Sequence, residues 1–451
     1  MSRDVGTGQA ATAERHIGRE ILRLAIPAFG ALIAEPLFLL ADSAILGHLG
    51  VSELAGAGLA TTVLQTAVGL MVFLAYSTTP AVARLVGAGD PARALAAGRD
   101  GLWLAGALGV VLALAGAWAA RPLLTVMGAG DDAVLGFAVE YLLWSLPGLV
   151  AMLLVFAGTG VLRGFQDTRT PLVVAGAGFG LNIILNWVLV YGAGMSVAGS
   201  ALGTSIAQWL MALVYIVMVA RRASRLGVSM LPHLPGVRAL AQVGSWLMLR
   251  TASMRGAILA TVFVASAQGP VNLAAHQLTM TMFSFLAFAL DALAIAAQAL
   301  IGKELGAQRL TRVRELTRTM MRWGLGFGVV TGVLLALAAP WVGWLFTPDT
   351  QVHQALTAAL WVLALGQPVA GFVFVLDGVL IGAGDARYLA LAGVVNVAIY
   401  APLLLAVFLT HTGGPGGLFW LWAAFGLGYM SARALTLGVR ARGDRWMVAG
   451  T

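Results

Sequence analysis

The sequence predicts an all-α polytopic membrane protein of twelve transmembrane helices in two pseudo-symmetric six-helix bundles. Three observations predict it: an apolar composition, one-sided basic loops and an internal repeat. Of 451 residues, 60% are hydrophobic and 10% charged, with mean hydropathy +0.90. A soluble globular chain carries about 25% charge, so the composition excludes that class. The absence of cysteine excludes disulfide, thiolate and iron–sulfur chemistry. The six histidines are scattered and show no metal-ligand spacing, so neither metal nor cofactor is expected.

A helix needs about 20 apolar residues to cross a bilayer. Twelve stretches satisfy this, at 24–47, 57–83, 101–120, 136–160, 172–191, 199–220, 239–267, 275–300, 323–346, 355–381, 388–410 and 417–438. Glycine, proline and charge clusters separate them, such as GAGDPAR at 87–93 and RGFQDTRTP at 163–171. The polar first 20 residues do not read as a cleavable signal, and the first dozen are expected to be irregular. Of the 27 basic residues, 24 fall in the amino-terminal tail, the even-numbered loops and the carboxy-terminal tail. Arg121 alone falls on the opposite side, and Arg250 and Arg255 lie within span seven. The positive-inside rule then places both termini in the cytoplasm of a cell membrane. The net charge of +8 therefore reports topology and contact with lipid headgroups rather than a nucleic-acid partner.

The chain also repeats. GVLRGFQDTR at Gly160 aligns with GVLIGAGDAR at Gly378, ELAGAGLATT at Glu53 with NLAAHQLTMT at Asn272, and RLVGAGD at Arg84 with KELGAQR at Lys303. The offset implies a first lobe over 20–222 and a second over 239–440, joined by a linker at 223–238. Tails at 1–19 and 441–451 complete the chain, which is expected to act as a monomer. Six spans per half keep both halves in one orientation, the arrangement of parallel-repeat transporters.

Candidate functional residues are the polar ones at membrane depth, where an ionisable group costs at least about 2.5–3.5 kcal/mol. Span one carries Glu35 and Asp42, seven residues apart and so on one helix face, with Pro27 and Pro36 as bending points. A carboxylate shielded from water can exchange a proton, and with amide or carbonyl oxygens it can instead hold Na⁺. Asn182 and Asn186 share a face of span five, placed to hydrogen-bond Asp42 or to glue helices together. The second half carries Arg250 and Arg255 in span seven, Gln277 and Asp291 in span eight and Asp377 in span ten. These charges are expected to form a cavity lining or a paired network, with Arg255 and Asp291 as one candidate pair.

Several of these stretches resemble one family: SAILGHLG after Asp42, LRGFQDTRTP, LNIILN, LAAHQ and ALDALAIAAQALIGKELGA. In order and spacing they are similar to the multidrug and toxic compound extrusion (MATE) transporters, and to their DinF-like rather than NorM-like branch. The resemblance implies an inner-membrane antiporter exporting organic, often cationic or amphipathic, small molecules against H⁺, favoured here, or Na⁺. It also implies that Asp42 responds to protons, with Asn182 and Asn186 beside it, and that span one bends near Pro27. Two departures stand out. Asn186 occupies a place where some relatives carry aspartate, and Glu35 lies outside the family pattern.

The alternative is a flippase of a lipid-linked or polar lipid precursor, which would want a larger basic cavity. An intramembrane enzyme is disfavoured, because no HExxH or GxSxG motif is present. Reporter fusions at Gly194 and Gly227 are expected to report opposite sides of the membrane; equal sidedness would overturn the span assignment.

Overall fold

The computed structural model describes residues 4–127, 131–410 and 413–450; Arg3, Gly128, Gly130 and His411 lie outside them. The described chain is almost entirely helical: α1 (Asp4–Gly47), α2 (Val51–Met71), α3 (Phe73–Gly87), α4 (Pro91–Val126), α5 (Asp132–Gly164), α6 (Arg169–Trp187) and α7 (Ser196–Arg225) come first. The second half holds α8 (Leu234–Ala267), α9 (Pro270–Gly306), α10 (Leu310–Val342), α11 (Thr350–Gly382), α12 (Ala386–Thr410), α13 (Gly414–Trp422) and α14 (Met430–Arg442). Helices dominate because a backbone in lipid has no water to bond and must satisfy its own polar groups.

Among the described residues, 11 helical stretches are long and apolar enough to cross a membrane, with α2 and α3 forming one of them. The twelfth predicted span is composite: α13, a π segment at Ala423–Tyr429, and α14. The expected irregular tail is instead helical, since α1 begins at Asp4. Its alanine, glutamate and arginine content favours helix.

The chain divides into two compact units, Ile26–Gly244 and Met1–Ala25 with Ser245–Gly450. The division cuts α1 between Ala25 and Ile26, directly before Pro27, and α8 between Gly244 and Ser245. These two points are 219 residues apart, the spacing of the internal repeat. Within the second unit, Arg312 bonds Glu20 at 2.6 Å, and Trp323 packs against Gly18. Within the first, the linker is clasped by α4. Arg99 donates to the Ser229 carbonyl and the Trp103 indole to the Met230 carbonyl, both at 2.9 Å, while Asp100 accepts from the His233 amide at 3.2 Å.

Small residues let the helices approach. Gly324, Gly328 and Gly332 of α10 lie against the α11 backbone at Gly371, Gln367 and Ala364, where any Cβ would collide with a carbonyl. The second unit is filled by an aromatic cluster in which Phe425 stacks on Tyr429 at 5.7 Å and meets Trp422 edge-on at 5.6 Å.

The repeat is visible in the turns. After α3, the amides of Ala88, Gly89 and Asp90 bond the carbonyls of Arg84, Val86 and Leu85. After α9, Ala307, Gln308 and Arg309 bond Lys303, Leu305 and Glu304 in the same pattern, capping the orphan carbonyls of the helix end. The left-handed residue is Gly89 (φ 78°) in the first half and Gln308 (φ 58°) in the second. After α5 and α11 the roles reverse, with Gln166 (φ 65°) opposite Gly384 (φ 74°). A side chain in this conformation costs roughly 1–2 kcal/mol, which glycine avoids. Gly384→Ala is therefore expected to lower stability by about 1 kcal/mol, whereas Gln308→Gly holds or raises the melting temperature in detergent.

Candidate functional site

The site grows from one seam of α1. Leu24, Ala28, Phe38, Asp42 and Leu46 are buried, and Ala31 and Glu35 fall on the same three-and-four spacing. Within the first unit, α1 and α6 run parallel in a register fixed by four contacts. Gly30 faces Leu172, Phe38 stacks on Phe179 at 5.2 Å, Asp42 meets Asn186, and the Ile45 carbonyl accepts from the Tyr191 hydroxyl at 2.7 Å.

Asp42 is 6% exposed and is held by three donors. Asn186 Nδ2 donates to Oδ1 at 2.8 Å, the Ser200 hydroxyl to the same oxygen at 2.5 Å, and the Tyr141 hydroxyl to Oδ2 at 3.2 Å. Asn186 Nδ2 also reaches Ser200 Oγ at 3.4 Å. Four elements thus converge on one carboxylate: α1, α5, α6 and α7. A π segment at Val188–Gly192 begins two residues after Asn186, and such segments are frequent at functional sites. The two hydroxyls can each donate or accept, so the same three neighbours can satisfy Asp42 with or without a proton.

Asn182 does not share this role. It is buried one turn before Asn186 but makes no hydrogen bond to Asp42, and its Oδ1 has no partner. Asn186 Oδ1, Thr204 Oγ1 and Gln208 Oε1 are likewise buried oxygens without partners. Ser200, Thr204 and Gln208 are spaced by four on α7, so they form one polar stripe. That spacing was readable in the sequence and would have found Ser200. Tyr141 carries no such signal, standing among the apolar residues of α5. Glu35 is half-buried, and no hydrogen bond or ion pair reaches its carboxylate among the described residues.

The charges of the second half pair differently from the expectation. Arg250 embraces Asp377 with two guanidinium nitrogens, Nε on Oδ1 at 3.1 Å and Nη2 on Oδ2. Arg433 reaches Asp377 at 3.7 Å and lies within electrostatic reach of Asp291. Arg433, one of the 24 basic residues counted to the cytoplasmic side, is buried on α14. Arg255 and Gln277 are exposed and stand outside this network, and Arg255 forms no ion pair among the described residues. Neighbours five apart in a helix point to different faces, so Arg250 and Arg255 cannot both serve one site. Asp377→Ala is expected to cost about 3–5 kcal/mol by stranding two buried guanidiniums. Adding Arg250→Ala should recover part of that loss in thermal unfolding; strict additivity would show the pair uncoupled.

The chain's kinship agrees with this architecture. The MatE family profile matches residues 27–188 and 248–405, one block in each half. "Protein DETOXIFICATION 44, chloroplastic" of Arabidopsis thaliana is 29% identical over 442 residues, covering 95% of this chain and 83% of that protein. "DNA damage-inducible protein F" of Escherichia coli (strain K12) is 31% identical over 399 residues, covering 86% of each. Among solved structures, the Vibrio cholerae MATE transporter VcmN in the bent form superposes with a TM-score of 0.87 at 23% identity, covering 97% of this chain and 99% of that one. Matched by the family profile in both halves, and by a bacterial relative over most of its length, this chain belongs to the MATE family of multidrug efflux transporters.

Proposed function

We propose that this chain exports organic, often cationic or amphipathic, small molecules by alternating access in exchange for H⁺, with Asp42 as the coupling group. The observation that supports this reading is the enclosure of one carboxylate by two hydroxyls and an amide at membrane depth. An antiporter needs a site whose occupancy by the driving ion changes the balance between two states, since ligands couple only through differential affinity. Protonation of Asp42 removes the charge to which Asn186, Ser200 and Tyr141 donate, and so alters what holds α1 to α5, α6 and α7. Pro27 stands where α1 passes from one unit to the other, and Pro36 lies between it and Asp42. Each proline removes a backbone donor, so both are the places where α1 yields most readily. The bent form of the Vibrio cholerae transporter supports bending as part of the cycle.

A second reading has a specific observation behind it. Asn182 Oδ1, Asn186 Oδ1, Thr204 Oγ1 and Gln208 Oε1 are buried oxygens without partners, and oxygen ligands are what Na⁺ or another hard cation takes. A flippase, by contrast, would want free basic residues in a cavity, and Arg250 is committed to Asp377. Both termini and the linker are placed in the cytoplasm, with lipid as the surrounding partner.

Dye export from vesicles, with the proton and sodium gradients collapsed separately, distinguishes the driving ions. Collapse of the proton gradient is expected to stop export. Asp42→Asn, a lasting mimic of the protonated form, should fold and lose gradient-driven export. Normal export and proton release by Asp42→Asn would move the coupling to Glu35 or to the second-half carboxylates.

A further inference from the structure

Glu35 is the one charged residue on the buried seam of α1 that the coupling site leaves unused. It lies between Ala31 and Phe38 on the line that continues to Asp42, so it faces the interior of its own unit rather than lipid. A carboxylate at membrane depth ordinarily finds a partner, because an unpaired one is expensive. Among the described residues Glu35 has none.

The surroundings of Glu35 differ from those of Asp42. Asp42 is enclosed by three donors and leaves no open face for a bulky cation. Glu35 is half-buried, and one turn away Phe38 lies flat against Phe179, with an interplanar angle of 9°. On the register that pairs Gly30 with Leu172 and Phe38 with Phe179, Glu35 falls level with Gly176 and Ala177 of α6. A Cβ built on Gly176 would meet nothing within 4 Å, so that level of the helix is open. An open approach and a carboxyl group without a protein partner at membrane depth together suit an organic cation, which would supply the missing counter-charge. Asn182 on α6 and Thr204 and Gln208 on α7 carry buried oxygens without partners in the same unit.

We propose that Glu35 is the counter-charge for a cationic cargo, so that the first half divides its task between two carboxylates. Asp42 answers to the driving ion, and Glu35 holds the positive centre of the cargo. Seven residues of helix separate the two groups by about 10 Å along the axis. A single ammonium or phosphonium centre therefore engages Glu35 without displacing the donors on Asp42. A dication with charges about 10 Å apart spans both levels. This assignment rests on the antiporter reading for its biological use, although the binding it describes is measurable without transport.

The test uses the full-length protein in detergent and in proteoliposomes, with tetraphenylphosphonium as the cation and triphenylphosphine oxide as a neutral ligand of similar shape. Glu35→Gln is expected to weaken phosphonium binding about tenfold, the scale of one lost charge-assisted contact. Glu35→Asp, which keeps the charge, should stay within about threefold by the same measure. Binding of the neutral oxide should be unchanged in both variants. Unchanged phosphonium affinity in Glu35→Gln, or an equal loss for the neutral ligand, overturns the assignment. If affinity depends on Glu35 and no gradient drives export in the parent, the antiporter reading fails while the assignment stands. If export is gradient-driven and affinity ignores Glu35, the reverse holds.

Discussion

In a bilayer no water is available to complete an unmade hydrogen bond, and that constraint orders this whole chain. Helices satisfy their own backbone, and the turns between them close the last carbonyls by the repeated pattern after α3, α5, α9 and α11. Glycines bring α10 and α11 backbone to backbone, replacing the apolar driving force that lipid removes. Charges at depth obey the same rule. Arg250, Arg433 and Asp377 gather into one buried cluster because each alone would be costly. Polar atoms that violate the rule occur in both halves, among them the side-chain oxygens of Asn182, Asn186, Thr204 and Gln208 in the first and the His276 ring nitrogens and the Gln298 and Gln367 oxygens in the second.

The two halves share a scaffold and differ in how they spend it. At the repeat spacing of 219 residues, Asp42 corresponds to Thr261, a buried hydroxyl in a 2.7 Å hydrogen bond with Tyr400. The second half has no acid at that position and carries its charge elsewhere, paired with arginine. The exchange of Gly89 for Gln308 and of Gln166 for Gly384 reports the same history on a smaller scale. Each half tolerates one left-handed glutamine because the turn geometry is held by three backbone hydrogen bonds rather than by the residue.

The fold was legible because its signals are one-dimensional. Hydropathy gives the spans, and a fixed offset gives the repeat. The site was legible only in part. Asp42 and Asn186 stood out as polar residues in apolar runs, and they do meet. Their other partners did not stand out, since Tyr141 and Ser200 are ordinary in a membrane helix until rotation and depth bring them together. The same ignorance of rotation suggested Arg255 for Asp291 and left Arg433 among the flanking charges. Arg433 is buried on α14 beside Asp377, a pairing that depends on helix rotation and that hydropathy does not encode.

The buried groups left without partners have an energetic consequence. A buried polar atom without a partner costs about 1–3 kcal/mol. The first half carries several on facing helices: Asn182 and Asn186 on α6, Thr204 and Gln208 on α7. Folding would select against such a set unless something bound relieves it. Where a ligand binds only the folded protein, it stabilises that state by an amount that grows with its concentration. Under the proposed exchange, the partnerless oxygens of the first half are ones that an incoming cation would satisfy. The donors gathered around Asp42 leave that carboxylate poised without strain, apart from the oxygens that lack partners beside it.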